Sequence, residues 1–240
     1  MLIPLFYRTQ VATSLIEGVE LKRESVRSSL HKKLEITFNR TEDKSTKNSD
    51  SLTELYLDSR FNQEKLSIDR LHKWHSAIFE EYDSVLYPVK RGVFRDHDDM
   101  QIVSGSIGRE KVHYQAIPQK EIEPSMQQLI DYINNSSENF IVKSAMAHLW
   151  FESVHPYDDG NGRIGRAIVN YILAKDGGLD NRYYSISSAI NEDRQGYYNS
   201  LEKAQNLLYN RDLEITEWIK WHTKSIEKSI DISLQNIEKV

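Results

Sequence analysis

Apolar residues recur at spacings of three and four along most of this chain, and only five prolines and ten glycines interrupt the pattern. That is the helical period, and it restricts the chain to a mainly α-helical, multi-helix fold. Leu66, Ile68, Leu71, Trp74, Ile78 and Phe79 form one such face; Ile122, Met126, Leu129, Ile130 and Ile133 form another, entered after Pro118. Further helices are predicted over 139–154, 161–176, 190–209 and 213–238. Residues 38–51, with Asn39, Thr41, Asp43, Ser45, Asn48, Ser49 and Asp50, read as an exposed polar loop or linker. It separates an N-terminal segment, 1–37, from a core over 52–240.

Between Gly92 and Pro118 the helical period lapses. Val93, Phe94, Ile102, Val103, Val112, Tyr114 and Ile117 surround the turn residues Ser104-Gly105-Ser106 and Gly108. A short β-hairpin among the helices and a plain long connection fit that pattern equally well. A hairpin would lean on the helices and offer an open edge.

What the chain can do is bounded by what it lacks. With no cysteine it has no disulfide framework, thiolate nucleophile, zinc ribbon or cysteine-ligated iron–sulfur cluster. Its 31 basic and 36 acidic residues give a net charge of −5, so no general attraction to nucleic acid or anionic lipid is expected through this segment. Met1 to Tyr7 is apolar but has no basic lead and is broken by Arg8 and Gln10, so it does not read as a signal peptide. The most apolar internal run, Phe140 to Phe151, contains Lys143 and His148 and falls short of the ~20 residues of a membrane span. A soluble, cytoplasmic protein is expected, with one main domain.

The densest polar cluster runs from His155 through Pro156, Tyr157, Asp158, Asp159, Gly160, Asn161, Gly162, Arg163, Ile164 and Gly165 to Arg166, between two apolar-periodic segments. Pro156 turns His155 away from helix and ends the preceding helix there. Gly160 and Gly162 permit close backbone approach, and Arg163 and Arg166 lie three apart in the first turns of the next helix. Arginines at a helix start are disfavoured by the dipole unless an anion lies opposite. Free N–H groups at that start and guanidinium forks both suit phosphate. Asp159 adds a carboxylate for Mg²⁺ shared with phosphate oxygens, and His155 a general base for a hydroxyl nucleophile.

A helix–loop–helix corner with solvated charges would explain a lone His-Pro or Asn-Gly. It does not account for a base, a carboxylate, two glycines and two arginines within twelve positions. Gly160 to Gly165 also satisfies G-x-G-x-x-G, but a dinucleotide fingerprint must follow a buried strand, and here a helical segment and His-Pro precede it. An EF-hand fails because Gly160 and Gly162 stand where ligand oxygens are needed.

Residues 155–166 resemble the signature of the Fic family, H-P-F-x-[D/E]-G-N-G-R-x-x-R, with Tyr157 in place of Phe keeping an aromatic anchor. The resemblance extends over most of the chain. It implies a Fic-type helical bundle with a β-hairpin flap over about 92–118. It also implies an activity: transfer of AMP from ATP, with Mg²⁺ as cofactor, to a Ser, Thr or Tyr hydroxyl of a protein target, the chain itself being one such target. Mn²⁺ suits the same oxygen ligands. Carried over by position, His155 takes the hydroxyl proton and Asp159 holds the metal. Asn161 and the Gly160–Gly162 backbone grip the α-phosphate, Arg163 the β-phosphate and Arg166 the γ-phosphate, with Gly165 counted in the same phosphate-binding set. Gly160 argues against the Doc-like kinase branch, whose motif departs there.

The resemblance implies further roles outside that loop. Gln101, Ile102 and Val103 correspond to the flap strand that docks the target as an added strand. Tyr197, Tyr198, Leu201 and Gln205 fall where the family lines its adenine and ribose pocket; on a helix such spacing is otherwise ordinary. Thr13-Ser14-Leu15-Ile16-Glu17-Gly18 resembles the inhibitory motif [S/T]-x-x-x-E-[G/N]. Gly18 reads as a helix C-cap, which leaves Glu17 at the negative end of its helix and in need of a cation. In the family that cation is the second motif arginine, here Arg166, so a self-inhibited enzyme is implied. Two other readings stay open: removal of AMP by a water that Glu17 positions, and a nucleotide-binding regulatory module without catalysis. Relatives carry more chain on either side, so the sequence reads as a trimmed core, and a homodimer is left open.

Overall fold

A computed structural model describes residues 2–34, 43–79, 89–104, 109, 111–178, 184–206 and 214–237. The fold is mainly α, as the periodicity requires. In chain order the elements are α1 (Leu2–Ile16), α2 (Arg23–Lys33), α3 (Lys47–Phe61), α4 (Ile68–Ile78), β1 (Gln101–Ser104), β2 (Lys111–Gln115), α5 (Gln119–Asn135), α6 (Phe140–Val154), α7 (Asn161–Lys175), α8 (Ile186–Glu192), α9 (Arg194–Gln205) and α10 (Thr216–Ile237). Among the described residues no helix is long and apolar enough to cross a membrane.

Helices α6 and α7 form the centre. α6 buries residues around its whole circumference, among them Ala145, Ala147, Leu149, Phe151 and Val154, as a helix without a polar stripe must. One apolar cluster joins α6 and α7 to the helices α1 to α5 through Leu30, Leu55, Trp74, Met126, Phe151 and Ile168. A second joins their opposite faces to α8, α9 and α10 through Ala145, Val169, Ile190, Tyr197 and Trp218. The face read from Ile122, Met126, Leu129, Ile130 and Ile133 is buried on α5. A Cβ on Gly165 would stand 2.7 Å from a Glu152 carboxylate oxygen and 3.3 Å from the His148 ring, so glycine allows α7 to lie close on α6.

Two expectations require correction. The polar stretch 38–51 is not a loop to its end: α3 begins at Lys47, capped by Thr46 in a capping box with Ser49. Asp43, Lys44, Thr46, Lys47 and Asn48 are exposed as expected, but Ser49 and Ser51 are buried, and the Ser49 hydroxyl meets that of Ser29 on α2 at 2.7 Å. Positions 38–42 of that stretch lie outside the described residues. The single helix expected over 190–209 is two, because Asp193 accepts from the Gly196 N–H at 3.0 Å and starts α9 afresh. Residues 207–209 lie outside the described residues.

The segment 92–118 contains the hairpin. β1 and β2 pair antiparallel, Gln101 with Gln115, Ile102 with Tyr114 and Val103 with Val112, with a register shift between Ile102 and Val103. Gly105, Ser106 and Gly108 of the expected turn lie outside the described residues. α1 packs into the body of the fold through Phe6 and Ile16 and through a hydrogen bond from Thr9 to Ser185 at 2.9 Å.

Candidate active site

The site begins where α6 ends. His155 takes a left-handed backbone, φ 47° and ψ 62°, rather than the extended one usual before proline. It is the one non-glycine residue with positive φ among those described. A side chain there costs about 1–2 kcal/mol, so neighbouring contacts must hold it. The His155 N–H donates to the Phe151 carbonyl at 3.0 Å, and Nε of Arg95 donates to the His155 carbonyl at 2.9 Å.

The His155 ring is 16% exposed, with Nδ1 3.3 Å from the Glu152 carbonyl oxygen. That contact assigns the proton to Nδ1 and the free lone pair to Nε2. Burial pushes the imidazole below its ordinary 6.5, and the Glu152 carboxylate opposes this only in part. At neutral pH it is therefore uncharged and able to accept a proton.

The loop that follows is fixed from within. The Asn161 side chain accepts from the Tyr157 N–H at 3.0 Å and donates to the Tyr157 carbonyl at 2.8 Å. Its amide thus closes the loop, and Asn161 also lines the cleft at the start of α7. Tyr157 is buried, stacked on His75 at 4.1 Å between ring centroids, with its hydroxyl 3.0 Å from Nδ1 of His72. His75 accepts from the Gly92 N–H at 2.9 Å and reaches the Asp159 carbonyl with Nε2 at 3.2 Å. Both contacts suit a neutral ring, and burial lowers its pKa to about 4.

Gly160, φ 80°, precedes α7, and no side chain caps that helix. Its first N–H groups are therefore available to an anion. Asp159 accepts from the Gly160 N–H and is 53% exposed beside this helix start. No cluster of three His, Cys, Asp or Glu occurs among the described residues. One exposed carboxylate fits a Mg²⁺ ion that takes its other ligands from phosphate and water.

The two arginines part company. Arg166 is buried, donates through Nε to the Thr13 hydroxyl at 2.9 Å and through Nη2 to Glu17 at 2.5 Å. Burial disfavours its charge, but Glu17 together with the Tyr56 and Tyr197 hydroxyls outweighs this and raises its pKa. Thr13 also accepts from the Tyr56 hydroxyl at 3.0 Å, which fixes it behind Arg166. Arg163 lies over the Phe79 ring at 4.8 Å, with a buried, unpartnered Nε and Nη2 3.9 Å from Asp159.

Glu17, Ile102, His155, Asp159, Gly160, Asn161, Gly162, Arg166, Tyr197, Tyr198, Leu201 and Gln205 line one cleft of about 180 Å³. It adjoins a second of about 410 Å³ between the hairpin and α9, sharing Ile102, Tyr198, Leu201 and Gln205. Of the expected phosphate-binding set, Gly165 packs α7 on α6 and Arg163 lies over Phe79; neither lines the cleft. Gly18, φ 75°, ends α1, its N–H bonded to Leu15 and that of Val19 to Ser14. Gln101 is bonded across the hairpin to Gln115 at 2.8 Å, and Val103 is exposed. Sequence reasoning missed Arg95 and Glu152. Neither carries a motif signal, since one bonds backbone carbonyls and the other sits within an apolar helix.

A neutral imidazole, an uncapped helix start, the Arg166 guanidinium and a carboxylate around one cleft, with Arg163 beside it over Phe79, suit chemistry at a phosphorus centre. Residues 65–173 match the Fic/DOC family. A probable protein adenylyltransferase of Aquifex aeolicus is 29% identical over 92 residues, 37% of this chain and 29% of its own length. A protein adenylyltransferase of Caenorhabditis elegans is 26% identical over 117 residues, 48% of this chain and 20% of its own. The matches thus span less than a third of either relative. A Fic family protein of Desulfovibrio desulfuricans superposes with a TM-score of 0.70 at 18% identity, over 98% of this chain and 66% of that one, which establishes a common fold.

Proposed function

As the chain is a Fic-domain protein with its signature loop intact, we propose that it is a self-inhibited protein adenylyltransferase, moving AMP from ATP to a hydroxyl of a protein target. The observation that carries this reading is the convergence of His155, the start of α7 and Arg166 on one cleft in which Glu17 already holds the arginine.

His155 Nε2 takes the proton of the target hydroxyl as its oxygen attacks the α-phosphorus. The bond from that phosphorus to the bridging oxygen breaks and pyrophosphate leaves. The N–H groups at the start of α7 and the arginines hold the phosphate oxygens, where charge develops. Asp159 would hold Mg²⁺, or Mn²⁺, which supplies neutralisation of phosphate charge when bound. Ile102 at the cleft edge supports docking of a target strand along β1. The larger cleft between the hairpin and α9 supports a nucleoside site at Tyr198 and Gln205, with Tyr197 behind them.

Glu17 competes with a phosphate for Arg166 and so inhibits from within. The test is intact-protein mass spectrometry after incubation with ATP and Mg²⁺, with a candidate target or the chain itself as acceptor. Glu17→Gly is expected to gain AMP, wild type far less, and Glu17→Gly with His155→Ala none. Equal labelling of all three refutes the assignment. Release of AMP from a labelled target by wild type, lost in Glu17→Gly, reassigns Glu17 to positioning water.

A further inference from the structure

We propose that Arg95 is the positioning residue of the site, one buried guanidinium that sets the pose of His155 and registers the hairpin to it. The inference rests on His155 acting as the base. Arg95 is 1% exposed. Its Nε donates to the His155 carbonyl at 2.9 Å, Nη2 reaches the carbonyls of Val154, at 3.4 Å, and of Ile117, and Nη1 reaches that of His97. Its own amide donates to the Pro156 carbonyl at 2.9 Å. Asp98, Asp158 and Asp99 lie near enough to favour its charge, but its donors go to backbone carbonyls.

A cation against the last carbonyls of a helix is favourable. Burying a guanidinium is nonetheless costly, and it is tolerated when carboxylates lie nearby and its donors are satisfied by backbone oxygens. Here they belong to three places that chemistry must keep together. Val154, His155 and Pro156 form the strained exit of α6, whose left-handed residue carries the imidazole. His97 precedes β1 and Ile117 follows β2, so both legs of the hairpin end on the same group. A plain staple for the hairpin would not need to grip the strained residue itself. Through Arg95 the strand edge and the imidazole share one frame.

The test uses the full chain carrying Glu17→Gly, with Arg95→Lys or Arg95→Met added; methionine fills the channel without donors. AMP transfer is measured beside ring-nitrogen NMR shifts of the histidines, with His155 assigned by its loss in His155→Ala and buried His222 as reference. We expect kcat to fall about 100-fold while KM for ATP changes less than about threefold, since ATP meets other groups. The His155 signals should move while those of His222 stay. Unmoved His155 signals in a folded variant overturn the proposal, as does unchanged kcat. If the Glu17→Gly parent transfers no AMP, the proposed function fails separately and the His155 signals alone decide. Loss of the folded state in both variants makes Arg95 a structural staple and overturns the positioning role.

Discussion

Arg166 on α7 meets Glu17, just past the end of α1, at 2.5 Å across 149 positions of sequence. The two residues need each other for separate reasons. Glu17 stands at the negative end of α1, where a carboxylate is disfavoured, and Arg166 is a buried cation. Glu17 is 31% exposed, so its side of the pair is open to exchange for a stronger anion.

Glu17→Gly should therefore act in two directions. Without ATP it leaves Arg166 short of an anion and should lower stability by about 1–3 kcal/mol, discounted for the exposed carboxylate. With ATP present the variant should recover more stability than wild type, because the ligand replaces the lost partner. AMP transfer should rise at least about tenfold, equivalent to ~1.4 kcal/mol of released inhibition. Urea denaturation with and without ATP, beside an AMP-transfer assay, checks all three.

The helical class and the signature loop were readable because each rests on residue types at fixed spacing. α5 shows this: five apolar positions foretold its buried face. That the polar stretch is helical from Lys47 was not legible, because hydrophobicity misses serine used as packing. Ser29 and Ser49 are buried between α2 and α3 through a hydroxyl contact that no apolar period reports. Arg95 was invisible for a related reason, since its acceptors are carbonyl groups that every residue has. The loop-closing bonds of the Asn161 amide to Tyr157 were likewise not legible, because sequence does not show which backbone groups an amide meets. Glu17 became notable only through the family motif, and its partner lies on the far side of the sequence.

The pH profile follows from the burial of His155. Its pKa is held below 6.5, so the imidazole is already unprotonated above that value. Transfer by Glu17→Gly should be nearly flat above about pH 6.5 and fall on acidification, with its midpoint below that of free imidazole. His155→Ala should reduce the rate by about 10²–10⁴-fold and remove the acid limb from whatever activity remains. A midpoint above 6.5 would contradict the neutral, buried ring.

His75 makes a separate prediction about stability. Its pKa falls from 6.5 to about 4 on folding, so between those values the unfolded chain binds more protons. Stability contributed by the neutral ring is complete above about 6.5 and is lost as the pH falls toward 4, amounting to about 3 kcal/mol. Denaturation free energies measured over this range should rise with pH. His75→Gln, which keeps polar contacts but does not titrate, should flatten that rise while lowering stability near neutrality.

Gly160 tests how tightly the loop is seated. Its φ is +80°, and an added Cβ would lie 2.8 Å from Cδ1 of Ile78 and from Cε2 of Phe79. Gly160→Ala should cost about 2–4 kcal/mol, combining left-handed strain with overpacking. Gly178 is the control: its φ is +55° with nothing within 4 Å of an added Cβ, so Gly178→Ala should cost only about 1–2 kcal/mol from strain. The difference between the two measures packing alone. Because the displaced Phe79 ring also carries the Arg163 guanidinium, Gly160→Ala should weaken ATP binding as well, whereas Gly178→Ala should leave it unchanged. Chemical denaturation and ATP titration of both variants decide it. Equal costs and equal affinities would show that the loop yields to the extra methyl and that the Phe79 and Arg163 contact does not depend on it.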